Sequence, residues 1–253
     1  MSFTCSGLRK DFLTRRGVTS ALEDVSLRVG PGEFVCVVGP SGCGKTTLLK
    51  LIAGLVEPTA GGIAFDGDSR STLVFQEHGI YEWMNVVDNV AFGLEAAGVP
   101  KRERRRRAEE FIDRLGLHDF ARAWPHELSV GMRQRVGLAR AFLTGSSNLL
   151  MDEPFGSIDA QTKIVLQQEL LRLWQDAHTS VLFVTHDIEE AVALGDRVIV
   201  MTGRPGRIRE DMRIELPRPR GSGPEKSEEA QPIEWRIWKL LRQEVLSDLA
   251  IPS

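Results

Sequence analysis

Apolar positions along this chain follow two alternating patterns. Four short, nearly continuous apolar runs, "EFVCVVG" from Glu33, "NLLMDEP" from Asn148, "SVLFVTHD" from Ser180 and "DRVIVMT" from Asp196, read as strands buried on both faces. Between them, "KTTLLKLIAGL" from Lys45 and "QTKIVLQQELLRLWQ" from Gln161 carry leucine and isoleucine at helical spacing, and "EPTAGG" stops the first. Strand and helix in repeated alternation predict α/β architecture, a mainly parallel sheet covered on both faces. "GGIAFDGD" and "STLVFQ" predict two further strands with turns between them. From about residue 85 to 143 the pattern turns helical, with Phe111, Ile112 and Leu115 on one face of a charged segment, so a helical subdomain is expected there. The main domain is expected over residues 1–216, a polar, Pro-rich linker over 217–232, and a helical tail over 233–253. In that tail Trp235, Trp238, Leu241 and Val245 share one broad apolar stripe, which can dock on its own core, on a second copy or at a membrane interface; its own core is the default.

Composition narrows the classes. With 253 residues and 42% hydrophobic content the chain can bury a core of ordinary size. A formal charge of -3 gives no global attraction to nucleic acid. The run "KRERRRR" from Lys101 is therefore expected as a solvated helix face near Glu103, Glu109 and Glu110 rather than a nucleic-acid or lipid patch. Cys5, Cys36 and Cys43 follow neither a zinc-ligand spacing nor an even disulfide framework, which suits a reducing compartment. "MSFTCSGLRKDF" lacks the succession of a secretory signal, and no apolar run reaches the roughly 18 to 20 residues that span a bilayer. A cytoplasmic chain is expected, with any membrane role arising through a partner.

The chemistry begins at "GPSGCGKTT", where Gly39, Gly44, Lys45 and Thr46 match GxxxxGK[ST] between a strand and a helix. In such a nucleotide-binding loop, here Gly39, Pro40, Ser41, Gly42, Cys43, Gly44, Lys45, Thr46 and Thr47, the backbone N–H groups close round phosphates, the helix dipole adds attraction, Lys45 reaches the terminal phosphates and Thr46 ligates Mg²⁺. A chance Gly-rich turn is the bland reading. Cys43 reads as a small filler of the loop, or as a redox group. Asp152 and Glu153 end an apolar strand, where open sheets bind ligands: Asp152 suits the hydration shell of Mg²⁺ and Glu153 an attacking water. His186 ends another strand and can reach a γ-phosphate. The segment "ELSVGMRQRV" starts a helix capped by Ser129, a second anion-binding end with no phosphate of its own in the sequence.

In order and spacing these pieces resemble the nucleotide-binding subunit of ATP-binding cassette (ABC) transporters, from about residue 5 to residue 215. The resemblance implies the ABC cassette form of the P-loop NTPase fold, with an N-terminal antiparallel β subdomain and a helical subdomain, and ATP and Mg²⁺ as cofactors. Gln76 in "VFQEH" is similar to the family's Q-loop glutamine, "LSVGMRQR" to its signature, Asp159 in "FGSID" to its D-loop and His186 to its switch histidine. Phe12 stands where the family places an aromatic that stacks on adenine; a plain core phenylalanine is the alternative. By the same resemblance two copies pack head to tail, and Ser129 and Gly131 of one face the γ-phosphate held by the other. Gln76 then ligates Mg²⁺ or the attacking water and is the link to a permease, for which Tyr81, Trp83 and Met84 line a groove unless they form an ordinary core cluster.

Val130 departs from the family, which usually has glycine there, so a side chain stands near the trans phosphate and slows turnover in this reading. Ser157 and Ile158 depart less, leaving Asp159 in place. The stretch from Phe75 to Glu95, "RPGRI" and "LPRPR" resemble the nitrate, sulfonate and taurine import group. The implied partners are a second copy, membrane permease subunits and, indirectly, a periplasmic or extracellular substrate-binding protein, with no nucleic acid; the implied site is the cytoplasmic face of the inner membrane, peripherally. A soluble ABC-type ATPase of DNA repair or translation is the alternative, disfavoured by the short distance from Gly39 to Ser129 and by the single cassette. A GTPase would need an NKxD-type motif, and a kinase would lack the signature.

Overall fold

In the computed structural model, residues 2–15, 17–67, 70–75, 80–221 and 226–249 are described, the last five without their side chains. The N-terminal strands β1 (Ser2–Thr14) and β2 (Gly17–Val29) pair antiparallel, and β4 (Ala60–Asp66) adds to the other edge of β1. Phe3, Cys5 and Leu8 of β1 and Val25, Leu27 and Val29 of β2 point inward, while intervening residues face out.

The second sheet has the order β5-β6-β7-β3-β8-β9, built from β3 (Phe34–Val38), β5 (Ser71–Val74), β6 (Asn148–Asp152), β7 (Ser180–Val184), β8 (Arg197–Met201) and β9 (Ile208–Arg213). Every neighbour pair is parallel except β8 with β9. Alternation on β3 divides the core. Phe34, Cys36 and Val38 join the cluster with Phe183, Trp174 and the helical segment, whereas Val35 and Val37 join Leu48, Leu49 and the N-terminal sheet. Both faces are thus covered, which is why β3, β6 and β7 are buried at every position and apolar except at Asn148, Asp152 and Ser180.

Helix α1 (Lys45–Ile52) follows β3 and presents Leu48 and Leu49 to the core. The helical segment consists of α2 (Val86–Ala96), α3 (Lys101–Arg114) and α4 (Val130–Leu143). On α3 the arginines pair with acids: Arg106 with Glu103 and Glu110, Arg107 with Glu103, Arg105 with Asp88 and Arg104 with Glu95. The basic run is therefore a charge-paired, solvated face, and Glu103 is held down to about 2, first by the hydrogen bond from Arg106. Helices α5 (Ala160–Ala177) and α6 (Ile188–Leu194) cover the same face of the sheet as the helical segment.

The expected linker is anchored at its start. Arg218 bonds Asp196 and lies 4.7 Å over the ring of Trp174, and the buried Arg220 donates to the carbonyls of Leu216, Val192, Gly195 and Ile214. The tail helix α7 (Gln231–Leu249) begins before Ile233, because Pro232 fits a first helical turn that needs no N–H from it. The expected stripe divides: Ile237 is fully buried with Ile233, Leu240 and Leu241 against the core, while Trp235 and Trp238 face outward and stack with centroids 4.7 Å apart. The side chain of Val245 lies outside the described residues. No helix among the described residues is long and apolar enough to cross a membrane.

Candidate active site

Three neighbouring strands end level with one another. Asp152 pairs with Val184 and Val184 with Val37, so the loops after β6, β7 and β3 leave the sheet side by side. This is the carboxyl edge where parallel sheets bind ligands. After β3 the chain turns through Gly39 to Gly44 into α1. Gly44 has φ 103, and a Cβ there would lie 2.7 Å from Leu22 Cδ2 and 2.8 Å from the Ala21 carbonyl, so only glycine lets the loop rest on β2. Lys45 is buried and its Nζ donates to the Gly39 and Pro40 carbonyls at 2.8 and 3.0 Å, arching over the loop it follows. Cys43 is buried inside, and burial pushes its thiol up. That arrangement fits a filler and argues against a redox group, since the reactive species is the thiolate.

Asp152 is buried, and burial raises its carboxyl above the usual range although a hydrogen bond from Thr46 opposes the shift. A desolvated carboxylate touching a hydroxyl is a pair of hard oxygen ligands in search of a cation. The next residue, Glu153, adopts φ 45, a left-handed conformation that costs a non-glycine residue on the order of 1–2 kcal/mol. The turn is fixed by the Glu153 N–H donating to Val184 at 2.9 Å, and by the Gly156 N–H donating back to Glu153 at 3.1 Å. It aims the carboxylate at His186, whose Nδ1 lies 2.8 Å from Glu153 Oε2. Behind His186, Lys163 lies 2.6 Å from Asp187 and 3.4 Å from Glu190, and Gln167 donates to Glu190 at 3.0 Å. This buried network holds the start of α6, and nothing in the local pattern announced it.

A cleft of about 460 Å³ opens over the loop, lined by Phe12, Thr14, Thr19 and Ala21, by Ser41, Gly42 and Gly44 to Thr47, and by Glu153 and Arg204. Phe12 is 39% exposed with Lys10 Nζ 5.1 Å from its ring, so it is a rim residue and not a core one. Arg204 belongs to no nucleotide-binding motif; its segment "RPGRI" bears only the group likeness.

Other expected residues lie elsewhere. Ser129 caps α4, accepting from the Met132 N–H at 3.3 Å, and a Cβ on Gly131 would lie 2.8 Å from Thr162 Cγ2. Asp159 caps α5 by accepting from the Thr162 N–H at 3.0 Å, which lowers its carboxyl. Gly131 and Asp159 thus both lie against Thr162, with Ser129 at the cap of α4, and none of the three lines the cleft. Val130, in the first turn of α4, is 38% exposed. Trp83 is 70% exposed, on a loop tied to the buried Asn89 through Tyr81 and Met84, so the core-cluster reading does not hold for it. Gln76 lies outside the described residues.

A phosphate-type loop after β3, an acid pair at the end of β6 two strands away and a capped second helix on one doubly covered sheet define a P-loop ATPase of the cassette class. The profile of the ABC transporter family matches residues 22–156. An ABC transporter ATP-binding protein of Methanocaldococcus jannaschii is 46% identical over 248 residues, 96% of this chain and 92% of the relative. A nitrate import ATP-binding protein of a Synechocystis species is 44% identical over 223 residues, 86% and 84% of the two chains. A dimeric structure of a bacterial ABC transporter cassette superposes with TM-score 0.72 at 30% identity, covering 85% of this chain and 99% of that one. The chain belongs to the ABC transporter ATP-binding family.

Proposed function

We propose that the chain is the ATP-hydrolysing subunit of an importer for a small anion such as nitrate, a sulfonate or taurine, acting as a head-to-tail pair beneath membrane permease subunits. The observation that carries the catalytic reading is one cleft bringing Lys45, Thr46 and Glu153 together, with His186 on Glu153 and with Ser129, Gly131 and Asp159 on a separate surface. Phe12 stacks on adenine. The amides from Ser41 to Thr47 and Lys45 hold the phosphates. Thr46 and Asp152, with Gln76, would hold Mg²⁺, which would offset the phosphate charge.

Glu153 orients a water and takes its proton as the water oxygen bonds to the γ-phosphorus; the bond to the ADP oxygen breaks, and ADP keeps the electron pair. His186 steadies that carboxylate and contacts the γ-phosphate. Ser129 and the N–H groups near Gly131 reach the same phosphate from the second copy, which explains why a capped helix start faces no phosphate in its own chain. Closure and reopening of the pair drive the permease, with Tyr81, Trp83 and Met84 forming part of its groove.

The substrate class draws support from the 44% identical nitrate import relative and from the group resemblance of residues 75–95. Its test is uptake of labelled nitrate, taurine and an alkanesulfonate by cells lacking the chain. Loss of one uptake, restored by the wild type but not by Lys45→Ala, is expected; undisturbed uptake of all three overturns the class.

A further inference from the structure

We propose that Arg204 is a second cationic ligand of the nucleotide's polyphosphate, an anchor supplied in cis from the loop after β8; this rests on the ATP-site reading above. Arg204 lines the same cleft as Lys45, Thr46 and Glu153. Its guanidinium is exposed, and one nitrogen lies 3.3 Å from the Gly42 carbonyl at the phosphate loop itself. Neighbouring arginines show what such a side chain ordinarily does here. Arg207 pairs with Glu23 at 2.7 Å, and Arg209 has Glu244 at 3.9 Å. Among the described residues Arg204 forms no ion pair, and its one hydrogen bond is that long one to a neutral carbonyl. A planar fork of donors with full charge, facing a cleft floored by phosphate-binding amides, has an anion as its natural partner.

The loop that carries it is built to hold a position. Gly206 donates to the Ala21 carbonyl at 2.9 Å and accepts from the Glu23 N–H at 3.0 Å, tying the loop to β2. A Cβ on Gly206 would sit 1.9 Å from the Cys43 carbonyl, so the loop's backbone lies directly against the phosphate loop. From the other side the Gly203 N–H donates to Glu244 of α7 at 3.2 Å. Arg204 therefore projects from a strut fixed at both ends. Its side chain needs only to leave the Gly42 carbonyl to meet a phosphate oxygen.

The experiment is calorimetric titration of the full-length protein with MgATP and with inorganic tripolyphosphate, for the wild type, Arg204→Ala, Arg204→Gln, Arg204→Lys and Lys45→Ala. Arg204→Ala is expected to weaken both ligands on the order of tenfold or more, with Arg204→Lys, which keeps the charge but not the fork, recovering part of the loss and Arg204→Gln little. Recovery by Arg204→Gln would make the residue an uncharged brace of Gly42 and overturn the proposal. So would weakened ATP with unchanged tripolyphosphate, which would place the guanidinium on the nucleoside. Wild-type binding by all three Arg204 variants while Lys45→Ala fails removes this proposal alone; wild-type binding by Lys45→Ala removes the site reading beneath it. Thermal unfolding of Arg204→Lys within the wild-type range guards against a misfolded series.

Discussion

Replacing Glu153 by glutamine isolates one function from its setting. Glutamine keeps the Cβ, so the left-handed turn at φ 45 and its strain stay as they are, and the Gln carbonyl oxygen can accept the bond that His186 Nδ1 now makes at 2.8 Å. The carboxylate's side chain is about one-fifth exposed and makes no bond to the phosphate loop, so stability should shift by less than about 0.5 kcal/mol and ATP affinity should hold. What is lost is the base. General-base catalysis contributes about 10²–10⁴-fold, or about 2.7–5.5 kcal/mol of barrier. Phosphate release from prebound ATP in a single turnover should slow by that factor, with bound ATP per subunit unchanged. Hydrolysis within a few-fold of the wild type, at equal occupancy, would refute the assignment of Glu153; a fall in occupancy would mean that it binds rather than reacts.

Three other outcomes follow from the same geometry. Burial raises the Asp152 carboxyl, so the folded state holds its proton more tightly than the unfolded chain; the stability this lends is full at acid pH and lost as pH rises through the folded value. Asp152→Asn should thus melt higher than the wild type near pH 7 without nucleotide, the gap closing as pH falls, while MgATP no longer raises its Tm; a lower Tm at neutral pH contradicts this. Phe12→Ala, at a 39% exposed rim position, should leave stability nearly unchanged yet weaken ATP by roughly 1–3 kcal/mol, the range of base–aromatic stacking, with tripolyphosphate unaffected. All three cysteines are buried, with Cys5 pushed up to about 12 and Cys36 and Cys43 also raised by burial, so native protein should resist maleimide and unfolded protein should take three equivalents; fast native labelling would contradict the packing.

The parts legible in the sequence were those whose cause is local. Apolar runs ending in Gly39, Asp152 and Thr185 give strands and their order of use, and helical spacing after Lys45 and Gln161 gives the covering layers. The acids meet the phosphate loop because β6, β7 and β3 lie side by side, a strand order that the sequence pattern does not encode. Arg204 was hidden because it reaches the cleft through the tertiary contact of Gly206 with Cys43, and no spacing encodes that. Arg218 and Arg220 looked like linker because their composition is polar, yet their work is to satisfy carbonyls at helix and strand ends. The outward Trp235 and Trp238 looked like core because a stripe has no label for which third of it is covered. The bonds of Lys163, Gln167 and Glu190 behind His186 join α5 to α6, and pattern reading treats those helices one at a time.

In the proposed head-to-tail pair, Ser129 of one copy completes the ATP site of another. Solution mass measured for Glu153→Gln with and without MgATP, and for the same protein carrying Ser129→Arg as well, tests it most directly. The expected result is a monomer without nucleotide, a dimer with MgATP, and a monomer that still binds ATP once Ser129 is replaced. A dimer that survives Ser129→Arg, or a Glu153→Gln protein saturated with ATP that stays monomeric, would contradict it.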